Sequence, residues 1–244
     1  MLQDKTILVT GATSGIGYAT VRDLLAAGAN IIALGRNVER LAELAHFDAV
    51  RVQTLAFDLT RFADYRNTFA GLPPLDGLVC SAGIADSNPL RFFSLEKYQR
   101  LIDINQTAPI ALVAELARVG KLRNGASIVL LASILGPKIG RPGATAYASS
   151  KAALTGFAKV AALELASKLV RINCLLPGMV ETELAEGQNE VSQEARQADM
   201  LRYPLGKRYA QVGEVTAAIR FLLSRDSSFM TGQEILIDGG FCTQ

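Results

Sequence analysis

The sequence predicts an α/β fold, a doubly wound, Rossmann-type parallel sheet of about seven strands with helices on both faces. Three observations predict it. Short runs rich in β-branched and aliphatic residues alternate with longer helical patterns along the whole chain. These runs are apolar almost throughout, so both faces of the sheet must be covered, as in parallel sheets. The first run also passes through a glycine-rich turn straight into the first helix.

The first strand, Thr6 to Thr10, leads through Gly11-Ala12-Thr13-Ser14-Gly15-Ile16-Gly17 into a helix at 15–27. Residues without Cβ allow a tight turn and close approach of backbone to a pyrophosphate, while the helix N-terminus offers free N–H groups and a positive dipole end. At the first β-to-α turn of such a sheet, the pattern points to a dinucleotide. The second strand, Asn30 to Leu34, then bears on which one. A carboxylate about 20 positions beyond the glycines would bond a ribose 2′-hydroxyl, whereas a basic residue accommodates a 2′-phosphate. That window holds Gly35, Arg36 and Asn37, and the first carboxylate, Glu39, belongs to the next helix, at 37–45. Arg36 offers a planar guanidinium to a phosphate, which favours NADP(H) and leaves NAD(H) open.

The third strand, Val50 to Phe57, and a helix at 61–70 precede the fourth strand, Gly77 to Cys80, which ends in Ser81-Ala82-Gly83. The helical pattern at 95–119 contains Pro109, which has no N–H for the carbonyl of Asn105 four residues back. The helix should kink there, leaving that carbonyl to accept a bond from water. The fifth strand, Ser127 to Ala132, ends at Ser133. In the next helix, at 145–168, Tyr147 and Lys151 lie on one face. A phenol with a pKa near 10 is a poor acid–base group at neutral pH, but a nearby ammonium and a cationic nicotinamide favour the phenolate. Lowering the pKa by about three units takes about 4 kcal/mol, within reach of two close positive charges in a dry cleft. Small and apolar residues cover nearly every face of this helix, so it should be buried all round, against the sheet on one side and a partner subunit on the other.

The sixth strand, Val170 to Leu176, runs into Pro177-Gly178-Met179-Val180-Glu181-Thr182, and a helix at 213–224 precedes the closing strand, Glu234 to Ile237. The charged, weakly periodic stretch 181–211 follows a strand's C-terminal end and reads as a substrate lid. No linker or repeat divides the chain, which predicts one domain over 1–244.

Composition narrows the chemistry. Lys+Arg number 25 against 23 Asp+Glu, without basic runs, so there is no electrostatic footprint for nucleic acid or an anionic membrane. A single histidine, His46, disfavours Ser-His-Asp relays and two-histidine metal sites. Cys80, Cys174 and Cys242 show no C-x-x-C spacing, so no metal site is expected. The N-terminus lacks a targeting pattern and no apolar run reaches about 18 residues, which predicts a soluble, cytoplasmic protein.

Taken in order, TGATSGIG, Ser81-Ala82-Gly83, Asn105, Ser133, YASSK and PGMVET resemble the short-chain dehydrogenase/reductase family, over essentially the whole chain including the closing MTGQEILIDGG. The resemblance implies that Tyr147 is the general acid in carbonyl reduction and the base in alcohol oxidation. Lys151 would hold the nicotinamide ribose and acidify the tyrosine, Ser133 would bond the substrate oxygen, and Asn105 would position a relay water. It implies cofactor contacts from Gly11, Ser14, Gly15, Ile16 and Gly17 at the phosphates, Asp58 and Leu59 at the adenine, and a backbone group of Ser81 at the ribose, with Ala82 and Gly83 leaving space. Val180 and Thr182 would meet the carboxamide, beside Pro177 and Gly178. Two departures stand out: Cys80-Ser81-Ala82-Gly83 replaces the usual Asn-Asn-Ala-Gly, and Ser14 stands where NADP-preferring members often carry Arg or Lys.

Substrate contacts are expected from Ser133, Leu135, Tyr147, Met179 and Leu184, with Ile134, Ile139 and Tyr203 as further walls and Arg141 near the rim. The nearest branches are the carbonyl and L-xylulose reductases and the 3-oxoacyl-carrier-protein reductases, and the resemblance implies a homotetramer acting on a small carbonyl or alcohol. A silent nucleotide sensor on the same fold is the competing class; an intact Ser133, Tyr147 and Lys151 set argues against it.

Overall fold

The computed structural model describes residues 2–182 and 192–243. Seven strands, β1 Thr6–Thr10, β2 Asn30–Gly35, β3 Val52–Ala56, β4 Leu75–Cys80, β5 Leu122–Leu131, β6 Arg171–Pro177 and β7 Glu234–Ile237, form one sheet. Their order is β3-β2-β1-β4-β5-β6-β7, and every pairing is parallel. The helices among the described residues are α1 Gly15–Ala26, α2 Val38–Phe47, α3 Tyr65–Ala70, α4 Leu95–Ile102, α5 Ala108–Arg118, α6 Thr145–Leu165, α7 Gln193–Met200 and α8 Val212–Leu223. None of them is long and apolar enough to cross a membrane.

Period-two alternation divides the strands between two cores. Ile7 and Val9 of β1 pack with Val21 and Leu24 of α1, Leu41 and Leu44 of α2, and Val215 and Ile219 of α8. Leu8, between them, packs on the other face with Leu112 and Leu116 of α5, Leu154 and Ala158 of α6, and Phe69 of α3. At the start of β6, the buried Arg171 guanidinium donates to the carbonyls of Leu222 (2.9 Å) and Ser224 (3.1 Å) at the end of α8 and of Ser227 (2.8 Å). A cation there is favoured by the negative end of the helix dipole.

Three sequence expectations change. β3 starts at Val52, because Val50 is 94% exposed, and β5 reaches back to Leu122, with a register shift opposite Leu75 and Gly77. The helix expected over 95–119 is three pieces: α4, a π-helical turn Asp103–Thr107, and α5. Ala108 N–H bonds to the Asp103 carbonyl, an i to i−5 bond. The missing N–H of Pro109 is thus accommodated by one wide turn instead of a simple kink. Within the chain α6 is buried on one side: Leu154, Ala158 and Ala161 face the sheet, whereas Val160 and Leu163, on the side expected to meet a partner subunit, are 56% and 79% exposed. A single layer of helices on a sheet leaves each helix an outer face.

Candidate active site

Strand order reverses between β1 and β4, and open parallel sheets bind ligands beyond the C-terminal ends of such strands. A cleft of about 310 Å³ opens there. Its lining comes from the glycine turn, from Ser81 to Asp86, from the loop after β5, from Tyr147 and Lys151 of α6, from Pro177 to Val180 with Thr182, and from Asp199, Arg202, Tyr203 and Phe241.

Backbone geometry makes the glycine turn. Gly11 has φ +65°, and a Cβ on it would stand 2.8 Å from the Ala82 backbone. A Cβ on Gly17 would stand 2.2 Å from the Gly11 carbonyl oxygen. Ser14, Gly15 and Ile16 line the cleft, and α1 has neither an acidic residue in its first turn nor a side-chain cap among the described residues. That cradle, with open N–H groups at a positive helix end, fits a pyrophosphate. Thr10 was missed by sequence reasoning: its hydroxyl accepts the N–H groups of Ser81 (3.1 Å) and Ala82 (3.2 Å), tying β1 to the turn after β4. The backbone group of Ser81 left for a ribose is therefore its carbonyl. A hydroxyl residue closing an otherwise apolar buried strand was the available signal.

Arg36 follows β2 directly, and Gly35 packs so closely on Thr13 of the glycine turn that a Cβ there would lie 2.5 Å from the threonine methyl. The Arg36 side chain is 64% exposed, with Nη1 3.7 Å from an oxygen of Asp58. The Thr60 backbone N–H, helped by the Thr60 hydroxyl and Arg36 and opposed by burial, holds the Asp58 carboxyl below its ordinary range. Leu59 is buried, its carbonyl accepting from the Tyr65 hydroxyl at 2.6 Å. Gly17, Arg36, Asp58, Leu59 and Asn105 stand around the cleft without lining it, whereas the other described residues expected to touch cofactor or substrate line it. Leu184, and with it residues 183–191 of the expected lid, lies outside the described residues.

Lys151 is 6% exposed, and its Nζ donates to the Leu131 carbonyl at 2.6 Å and stands 5.6 Å from the centre of the Tyr147 ring. Burial pulls this ammonium down to about 8, slightly opposed by the thiols of Cys174 and Cys80. Burial also raises the Tyr147 phenol above its ordinary value, against the Ser133 hydroxyl bonded to it and the Arg141 guanidinium. In the chain itself, desolvation outweighs the nearby charges; the expected acidification also counts the charge of a cationic nicotinamide. Ser133 Oγ also accepts the Leu135 N–H at 3.1 Å. From the π turn, Asn105 clamps Ile84, accepting its N–H and donating to its carbonyl, both at 2.8 Å. Gly83 lies between, where a Cβ would stand 3.2 Å from Asn105 Oδ1 and 3.6 Å from Lys151 Nζ.

On the opposite wall, the loop after β5 is pressed onto α6. Gly136 has φ +100°, and a Cβ there would meet the Ala148 carbonyl oxygen at 2.1 Å. Tyr203 is a strut as much as a wall: it is 3% exposed, its hydroxyl accepts the Met179 N–H at 3.0 Å, and its ring packs on Tyr209 and Phe241. Phe241 was missed, since nothing local in the last residues marks them as returning to the cleft.

A family model described as enoyl-(acyl carrier protein) reductase matches residues 11–242. The chain belongs to the short-chain dehydrogenase/reductase family. It is 32% identical over 239 residues to a 3-oxoacyl-[acyl-carrier-protein] reductase of Rickettsia bellii, covering 98% of this chain and 97% of that protein. It is 33% identical over 240 residues to the L-xylulose reductase of Bos taurus, with the same coverage. A gluconate 5-dehydrogenase of Burkholderia cenocepacia, solved with NADP and tartrate, superposes with a TM-score of 0.91 at 29% identity, over 100% of this chain and 97% of that one. Members of this family are NAD(P)-dependent oxidoreductases, and so is this protein.

Proposed function

We propose that the protein interconverts a carbonyl and a secondary alcohol with NADP(H), and that Tyr147 moves the proton. The observation that carries this reading is the meeting of Tyr147, Ser133 and Lys151 in the cleft that the glycine turn opens into. The cofactor would be held by the turn at Gly11, Ser14, Gly15, Ile16 and Gly17, by Lys151, and by Val180 and Thr182. Arg36, beside Asp58 and close to the turn, supports the phosphorylated dinucleotide.

A bound nicotinamide supplies the hydride to the carbonyl carbon in reduction and takes it up in oxidation. Ser133 Oγ and Tyr147 Oη hold the substrate oxygen. As charge develops on that oxygen, the phenol donates its proton; in the reverse direction the phenolate accepts it. Because burial keeps the phenol protonated, the acid form is ready at neutral pH. The buried Lys151 ammonium reprotonates the tyrosine through a water held at the π turn near Asn105. Cleft burial excludes bulk water from these groups.

The same reading takes 1–244 as one domain with a lid near 181–211, and as a homotetramer in the cytoplasm. The exposed Val160 and Leu163 on α6 support assembly, and three free cysteines suit a reducing compartment. The test is oxidation of NADPH against a panel of diketones, ketoses, oxo acids and 3-oxoacyl thioesters, repeated with NADH. Turnover with NADPH preferred is the expected result. Oxidation of neither nucleotide with any carbonyl overturns the reading.

A further inference from the structure

We infer that the substrate is a small carboxylic acid bearing the reacting oxo or hydroxyl group, and that Arg141 is the side chain that reads its carboxylate. The inference rests on the carbonyl–alcohol reading above. Three cations line the cleft among the described residues: Lys151, Arg202 and Arg141. Two are engaged. Lys151 is bonded to the Leu131 carbonyl, and the Arg202 guanidinium pairs with Asp199 at 3.1 Å and lies 4.4 Å over the Phe241 ring. The Arg141 guanidinium makes no hydrogen bond or ion pair among the described residues.

Its backbone is nevertheless fixed with respect to the reacting groups. Arg141 lies in the loop that joins β5 to α6, and that loop is closed by the Leu135–Ile139 bridge and by the Gly136 N–H to Ile139 carbonyl bond at 2.8 Å. Lys138 of the loop is anchored to Glu234 of β7 at 2.9 Å, and the Arg141 carbonyl accepts the Ala144 N–H at 3.1 Å where α6 begins. Arg141 lines the same cleft as Tyr147 and Ser133. A planar guanidinium matches a carboxylate with two parallel bonds. The cleft's other unpaired charge among the described residues, Asp86, suits a substrate hydroxyl.

The test compares short oxo acids, their methyl esters and a neutral 3-oxoacyl thioester on the unmodified protein, Arg141→Gln and Arg141→Lys. The unmodified protein should favour acid over ester in kcat/KM by about 10- to 100-fold. Arg141→Gln should erase that ratio through KM, and Arg141→Lys should restore part of it. An influence of Arg141 acting only through the phenol would lower acid and ester alike, so the ratio isolates recognition of the carboxylate. Preference for the ester or thioester, or an acid-to-ester ratio unchanged in Arg141→Gln, overturns the inference while leaving the carbonyl–alcohol reading intact. Absence of turnover with every member overturns this inference, and the carbonyl–alcohol reading falls with it only when diketones and ketoses are not reduced either.

Discussion

The turn from Thr10 to Gly17 and the loop from Ser133 to Arg141 both leave the C-terminal end of a strand and both lead into a helix, yet they are built differently. The first is backbone packed on backbone: Gly11 against Ala82, Gly17 against Gly11, and the Thr10 hydroxyl on two N–H groups. The second has its own backbone closure at Gly136 and Ile139 but is further held by side chains from distant parts of the chain. Glu234 of β7 holds Lys138, and the Tyr203 hydroxyl fixes the adjoining Met179 wall. A surface made of backbone accepts one shape, that of a dinucleotide common to many reactions. One made of side chains can be changed residue by residue, so chemistry and substrate are expected to separate from cofactor binding.

The largest break in this division is Tyr147→Phe, expected to lower kcat about 10²- to 10⁴-fold in steady-state assays through loss of the transferred proton. Gly17→Ala attacks the other half. A methyl 2.2 Å from a backbone oxygen forces the turn apart, so NADPH affinity should fall at least about 10-fold, with a stability loss of about 1–3 kcal/mol in chemical denaturation.

Lys151→Met should separate stability from activity. The folded-state pKa of this lysine, about 8, lies below its ordinary 10.5, so the folded chain disfavours the charged form. The penalty is fully present below pH 8 and fades as pH rises through 8 to 10.5, because in that window the unfolded chain binds the extra proton. The variant should therefore be inactive yet more stable at pH 7 by about 1–3 kcal/mol, a gain that disappears near pH 10. Equal or lower stability at pH 7 would place the ammonium in a better solvated setting than the one described.

Tyr203→Phe leaves the Met179 N–H without its acceptor and should cost about 1 kcal/mol, with KM for the carbonyl rising and NADPH affinity unchanged. The smallest effect is expected from Arg36→Ala at an exposed position: a reduction of about 3- to 10-fold in preference for NADPH over NADH.

The fold was legible because strands of continuous apolar residues and glycine punctuation are local signals. The glycine turn, Ser133, Tyr147 and Lys151 were legible for the same reason, each standing at a strand end or on one helix face. Thr10, Phe241 and the structural role of the Tyr203 hydroxyl were not, since each depends on what stands opposite in space. The state of the phenol escaped as well: charges near Tyr147 can be counted in a sequence, but the desolvation that opposes them cannot. The π turn at Asn105 lay half-way, its cause visible in Pro109 and its form decided by packing among α4, α5 and α6.

The claim that binding and chemistry occupy separate halves of the cleft is tested most directly by titrating NADPH into Tyr147→Phe. Affinity within about threefold of the unmodified protein, alongside lost turnover, is the predicted result; a parallel loss of NADPH affinity of about 100-fold would contradict it.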